Sequence, residues 1–319
     1  MSGGVAEWQG VGRMAVCPYK ALTELIQMGI NRLGWTGLAL GLTLPLLLYT
    51  TGQWQRPRSP VIQQLFTGVS YQRQVNNTPW EQVIHIITVD LTAPGVEVVV
   101  SPGRASGDDG ETEAQTTTQF LTQTAAQVAV NANFFNPFVE KTPWNFQPRV
   151  GDRANILGIG MADGQTYSPP EANWPALCFA KNNRAQVVAD GTCPSGTQQA
   201  IAGNQQLVAK GEAVPIDYRD RAYARVMAVV SRGGSQLSLV VVDGKQPHYS
   251  EGATLAQLIE IALSLDADAA LNLDGGGSTT LVIETPNGDR PLNAPIHTKW
   301  PGRQRPVANH LGIRAQPLP

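Results

Sequence analysis

Charge is scarce in this chain. Asp, Glu, Lys and Arg make up 15% of its 319 residues, and the formal net charge is −2. With no long basic run, nothing in it attracts a polyanion, and no nucleic-acid partner is expected. Cysteine is scarcer still, with only Cys17, Cys178 and Cys193, and no Cys/His spacing follows the pattern of a zinc site. There is no internal repeat and no low-complexity segment, so a repeat architecture is excluded. Glycine and proline are plentiful at 32 and 23. They predict many turns and short strands and argue against a helical bundle.

Long apolar runs are also rare, and one of them stands out. Leu33–Thr50 (LGWTGLALGLTLPLLLYT) carries no charge and is about long enough to cross a bilayer as a helix, despite Pro45. Arg13, Lys20 and Arg32 precede it, which by the positive-inside rule keeps the start of the chain cytoplasmic and exports the remainder. A cleaved signal peptide fits less well, because its basic region would be unusually long and no A-x-A-like site comes after the apolar run. The expected organisation is a cytoplasmic lead (1–32), a transmembrane signal anchor (33–50), a polar proline-containing linker (51–60) and an exported domain (61–319). That domain would sit on the periplasmic, luminal or extracellular side. There Cys178 and Cys193 flank a strand–turn–strand pattern, and a disulfide between them is expected in an oxidising compartment.

The exported part reads mainly as strands. VIHIITVD (Val83–Asp90) and VEVVV (Val96–Val100) flank a Pro-Gly turn. Ala162-Asp163-Gly164 and Lys210-Gly211 mark hairpins. Arg225–Val230 and Leu237–Asp243 make a strand–turn–strand. Glu113–Thr124 has helical character. Thr254-Leu255-Ala256-Gln257 is a capping box opening a second helix, with Leu255, Leu258, Ile259, Ala262 and Leu263 on one face. His85 reads as a satisfied strand histidine, and Asp108-Asp109-Gly110-Glu111 as a solvated loop. The expected fold class is α+β, a strand-rich mixed-sheet domain with a few helices, preceded by one transmembrane helix.

The stretch that points to chemistry is Leu271–Ile283 (LNLDGGGSTTLVI). Two apolar strands are joined by Asp274 and three glycines. Glycine loses more conformational freedom on ordering than any other residue. What Gly275, Gly276 and Gly277 offer in return is close backbone approach, with N–H groups able to face an anion beside a fixed carboxylate.

This stretch, with NANFFNP (Asn131–Pro137), ARVMAV, VVVDGK and RPVANHLGI in the same order, resembles the phosphodiester glycosidases over roughly Val83–Ile313. The family includes enzymes that remove N-acetylglucosamine from a phosphodiester. Two motifs depart from the usual pattern. N-G-G-F-F is here Asn131-Ala132-Asn133-Phe134-Phe135, and Arg-Thr-Ala-Val-Gly is here Arg225-Val226-Met227-Ala228-Val229-Val230. The resemblance implies a glycosidase that cleaves a sugar–O–phosphate bond at the anomeric carbon. Such a reaction needs a carboxylate for positive charge on the ring, donors for the departing phosphate and a second group for the proton or nucleophile. Asp274 is the candidate carboxylate and Asp243, at a strand end before Gly244, the second. Arg225 is the candidate phosphate ligand. Asn131, Asn133, Asn272, Gly275, Gly276, Gly277, Ser278, Arg305 and Asn309 complete the candidate substrate contacts. His297 and His310 are less favoured as general bases. No cofactor is called for, and no metal pattern is complete, with a divalent cation beside Asp243 or Asp274 left open. The expected activity is an exported, membrane-anchored glycosidase acting on envelope or exopolysaccharide glycans. The alternative is a non-catalytic glycan-binding protein of the same fold.

Overall fold

A computed structural model describes Thr43 and residues 58–105, 110–216 and 220–319. Apart from Thr43, the expected lead, anchor and most of the linker lie outside the described residues, as does Cys17. Among the described residues no helix is long and apolar enough to cross a membrane. The described strands all belong to one compact unit that begins at Arg56.

Strands dominate because apolar residues alternate along them and are buried on both faces of a central sheet. Eight strands form that sheet, in the order Val61–Phe66, Val69–Asn76, Gln82–Asp90, Gln236–Val242, Arg225–Ser231, Ala267–Leu273, Gln205–Ala209, Glu212–Ala213. Successive side chains of a strand point to opposite faces, and the core divides accordingly. Ile87, Val89, Val226, Ala228, Leu239, Val241, Leu271 and Leu273 face one cluster. Ile84, Ile86, Met227, Val229, Val240 and Val242 face another, together with Leu255, Leu258 and Ala262 of a helix at Leu255–Ser264. The first cluster also takes in Val128, Val130, Leu281 and Leu311. These come from a five-stranded sheet ordered Arg290–Pro291, Leu281–Ile283, Val128–Asn131, His310–Arg314, Glu97–Val100. The far side of that sheet packs Val99, Ala129 and Val282 on Phe120 and Leu121 of the Thr117–Thr124 helix. The layers therefore run helix, sheet, sheet, helix.

The α+β reading holds as a strand-rich domain with two α-helices, but "mixed" needs correction. Every pairing between named strands among the described residues is antiparallel, and parallel geometry survives only as an isolated bridge between Ile296 and Arg303. The capping box at Thr254 caps its helix as expected, with Thr254 Oγ1 accepting from Gln257 N–H at 3.2 Å. Leu263, expected on the buried face, is exposed. The first helix starts later than its pattern indicated. Thr116 adopts an extended backbone and closes a second capping box with Gln119, which leaves Glu113 in a short strand. Glu111 is buried rather than solvated and accepts from the Ile156 N–H at 3.0 Å.

The Asp163-Gly164 and Lys210-Gly211 turns have positive φ at both positions, as tight hairpins require. Cys178 and Cys193 are joined by a disulfide. Their juxtaposition does not come from two hairpin ends meeting, since Cys178 lies opposite Gln186 in the hairpin. Cys193 returns from the loop beyond it, past a left-handed Gly191, and packs on the same small cluster.

Candidate active site

Three strands end together where the two sheets meet. Arg225–Ser231 lies between Gln236–Val242 and Ala267–Leu273, with Arg225 opposite Val242 and Val226 opposite Leu273. Arg225 thus begins its strand where its neighbours end in Asp243-Gly244 and Asp274-Gly275. The Asp274 N–H donates to Ala132 O, beside the five-stranded sheet, at 3.0 Å, which stitches the loop across both sheets.

A pocket of about 350 Å³ opens at this junction, lined by Phe134, Phe138, Tyr223, Arg225, Asn272, Asp274 and Arg305 among others. Among the described residues, Asp274 is the only carboxylate in its lining. Desolvation pushes the Asp274 carboxyl up to about 7, even though the Ser278 hydroxyl and the Gly275 N–H hydrogen-bond it and pull the other way. Loss of water outweighs two donors here because the charged form is what water stabilises most. Ser278 Oγ accepts from Arg305 Nη1 at 3.0 Å. Arg305 Nη2 in turn pairs with Glu140, and its guanidinium lies 4.7 Å from the Phe138 ring centroid. Burial lowers the Arg305 side chain to about 10, still fully cationic at neutral pH. The result is a chain running Glu140, Arg305, Ser278, Asp274.

The glycines have structural reasons different from those expected. Gly276 has φ +63°, and a methyl group there would lie 2.7 Å from the Tyr223 ring. At Gly277 it would meet the Arg305 guanidinium at 2.3 Å. Several of the loop's N–H groups are also already taken. Gly276 N–H is spent on Ala224 O at 2.8 Å, Ser278 N–H on Gly275 O at 3.1 Å, and Gly275 N–H on the Asp274 carboxylate.

Arg225 does line the pocket, but it arrives engaged. Nη2 reaches both oxygens of Asp220 at 2.8 and 2.7 Å, and Nε donates to Ala253 O at 3.1 Å. Together with Arg221 and Lys245 it surrounds the Tyr223 ring, at 5.5, 5.6 and 4.9 Å from the centroid. Asn272 donates from Nδ2 to Asn204 Oδ1 at 2.7 Å, and its Oδ1 is buried with no partner among the described residues. A buried unpaired carbonyl oxygen is costly, and Asn272 is among the residues that line the pocket.

Several candidates turn out to hold the framework. Asn131 donates to Asp274 O at 2.7 Å and accepts from Thr280 N–H at 3.0 Å, clamping both ends of the glycine loop. Asn133 donates to Leu157 O and Ile159 O and accepts from Ala202 N–H and Asn309 Nδ2. Asn309 returns the contact by accepting from Asn133 N–H at 2.9 Å. All three are buried, and none lines the pocket. These amides replace backbone partners where sheets diverge, and they leave nothing for a sugar hydroxyl.

Asp243 departs furthest from expectation. Its carboxylate accepts from Asn293 Nδ2, Ala294 N–H, Tyr249 OH and His85 Nε2 at 2.8–3.2 Å, and His85 Nδ1 meets Tyr71 OH at 2.9 Å. It is buried and absent from the pocket lining. A carboxylate already holding four donors is a structural hub rather than a second catalytic acid. His85 is a satisfied strand histidine, as its sequence setting implied.

The other histidines separate. His310 stacks on Phe120 within the core, with burial lowering it to about 3. His297 lies beside the site, its Nδ1 accepting from Arg305 Nε at 3.2 Å. Desolvation, aided by Arg303, lowers it to about 4, so it is neutral and its ring proton sits on Nε2. Tyr223, Phe138, Glu140 and Asn204 join the site without any signal singling them out. Tyr223 lies two residues before Arg225, and Glu140 shortly after the Phe134-Phe135 pair, in segments that read only as loops. Among the described residues no group of three or more His, Cys, Asp or Glu could hold a metal ion.

A family model described as phosphodiester glycosidase matches residues 124–314. No curated protein matches the sequence. Among solved structures, the catalytic domain of zebrafish N-acetylglucosamine-1-phosphodiester alpha-N-acetylglucosaminidase, auto-inhibited by its pro-peptide, is similar in fold. Its TM-score is 0.53 at 20% identity, covering 81% of this chain and 85% of that one. A hypothetical protein from Synechocystis aligns with TM-score 0.54 at 15% identity, covering 80% of this chain. The alignment spans 64% of the Synechocystis chain. At these identities the structures establish the fold alone.

Proposed function

The chain belongs to the phosphodiester glycosidase family, and from that premise we propose that it hydrolyses a sugar-1-phosphodiester linkage in envelope or exopolysaccharide glycans. The observation that carries the reading is Asp274, a desolvated carboxyl that is, among the described residues, the sole carboxylate in the lining of a pocket with two guanidinium groups. In its ionised form it faces the positive charge that builds on the ring as the C1–O bond breaks. The departing phosphate oxygen takes the C1–O bonding pair towards the cationic wall of Arg225 and Arg305, and water gives its hydroxyl to C1 and its proton to the released phosphate. Phosphate is a good leaving group, so a single carboxylate among the described lining residues is no obstacle. Phe134 and Phe138 supply faces for a pyranose, and Asn272 Oδ1 accepts from a hydroxyl or acetamido N–H. The name of the zebrafish enzyme supports N-acetylglucosamine as the first sugar to try.

We place the domain on the exported side of a membrane, anchored by Leu33–Thr50. Active alkaline phosphatase fused after Pro319 and inactive fusions before Leu33 support that topology, and the reverse pattern sinks it. The activity is tested with the full-length protein and UDP-N-acetylglucosamine, measuring release of free sugar. No release at any pH, with sugar binding retained, moves the protein to the glycan-binding reading. One observation favours that second reading. Both pocket arginines are already paired with carboxylates, Asp220 and Glu140, so an incoming phosphate must compete for them.

A further inference from the structure

Beside the active site lies a second cavity that the reaction does not use. It is a cleft of about 860 Å³ lined by Trp144, Phe146, Arg149, Val150, Trp300 and Arg303, with proline and polar residues between them. Large apolar side chains are seldom left open to water in such a group. Here Trp144 is 72% exposed, Trp300 57% and Val150 53%. Among the described residues, no acidic side chain contributes to the lining. Arg149 and Arg303 lie 5.9 and 4.6 Å from the Phe146 ring centroid. Neither has a carboxylate partner among the described residues, in contrast with Arg225 and Arg305. Arg303 is held in place through Nη1, which donates to Pro143 O at 2.6 Å and Thr298 Oγ1 at 3.1 Å.

We propose that this cleft is a binding site for an anionic oligosaccharide. Broad, exposed indole rings offer flat apolar faces to the C–H faces of sugar rings, and fixed guanidinium groups pair with carboxylate or phosphate substituents. The +2 charge of the lining, in a chain whose net charge is −2, selects anions. The position also fits. Phe146 lines the cleft and packs edge-on against His297 at 4.7 Å, and His297 accepts from Arg305 of the catalytic pocket. A contact chain of Phe146, His297 and Arg305 thus links the two linings. A glycan continuing beyond the cleaved phosphodiester would run into the cleft; this placement of the ligand rests on the glycosidase reading, whereas binding itself does not.

The test is direct binding to the full-length protein by tryptophan fluorescence and calorimetry, with hexagalacturonate as the anionic probe and maltohexaose as its neutral counterpart. The anionic probe should bind, weaken as salt is raised, and bind at least about tenfold more weakly to the Trp144→Ala/Trp300→Ala double variant, a loss typical of two exposed anchor residues. Arg149→Gln should lose most of the preference for the anionic sugar. Circular dichroism confirms that each variant is folded. Absence of binding overturns the proposal, and so does equal binding of both sugars or an unchanged affinity in the double variant. Loss in that variant of adsorption to phosphatidylglycerol vesicles, with no sugar binding, makes the cleft a membrane-contact face instead. Hydrolysis of UDP-N-acetylglucosamine by the unaltered protein is scored separately, so that a failed enzyme reading and a failed cleft are told apart.

Discussion

Asp243-Gly244 and Asp274-Gly275 are the same dipeptide, each placed at the end of a strand of the central sheet and each flanking the strand that begins at Arg225. Their environments make them opposites. Asp243 is enclosed by two side-chain amide or backbone N–H donors, a tyrosine hydroxyl and a histidine. Asp274 has a serine hydroxyl and one N–H, too few to offset what burial takes from its charged form, and it borders a pocket. Position at a strand end does not confer reactivity. The balance between desolvation and donors does.

Removing the charge at each carboxylate in turn should separate the two aspartates most. Asp274→Asn is expected to lower kcat/KM for a sugar phosphodiester by about 100- to 1000-fold, the scale for loss of a preorganised electrostatic group. If the purified variant keeps full turnover, Asp274 is not the reacting carboxylate. Asp243→Asn should leave turnover of the folded protein close to wild type and cost about 1–3 kcal/mol of stability, because an amide N–H₂ then faces donors that need an acceptor. A large fall in kcat without a fall in urea midpoint would reverse the two roles.

A pH comparison sharpens the same contrast. With its folded value raised to about 7 from an ordinary 3.8, Asp274 favours the folded state fully below about pH 4, and that contribution is lost as pH rises through 7. Asp274→Asn lacks this loss. Its melting temperature relative to wild type should therefore be higher at pH 8 than at pH 4, and a difference independent of pH refutes the desolvated state of this group. Smallest in expected size is Ser278→Ala. The hydroxyl lowers the Asp274 carboxyl, so its removal should move the rising limb of kcat/KM, expected near pH 7, upward by about half to one unit. A falling limb at that pH would instead make protonated Asp274 the active form.

The chain itself determined those features that depend on near neighbours. Alternating apolar residues specified the strands on either side of Arg232–Gly234, and Thr254 with Gln257 specified a helix start. Asp163-Gly164 specified a hairpin, and the run Asp274–Ser278, read with its companion motifs, specified the family. Each of these is settled by a backbone period or by turn chemistry within a few residues. The tertiary structure alone decided which polar side chains are available. Asn131, Asn133 and Asn309 have the composition of a sugar site, yet antiparallel strands remote in sequence bring unpaired backbone groups beside them. Those groups, which cannot be left bare when buried, take up the polar atoms of the three amides. Tyr223, Glu140 and His297 enter the site for the complementary reason. Contacts between segments remote in sequence bring them there: the Tyr223–Ala253 bridge sets Tyr223 in the pocket lining, and Glu140 and His297 reach the site through the Arg305 guanidinium.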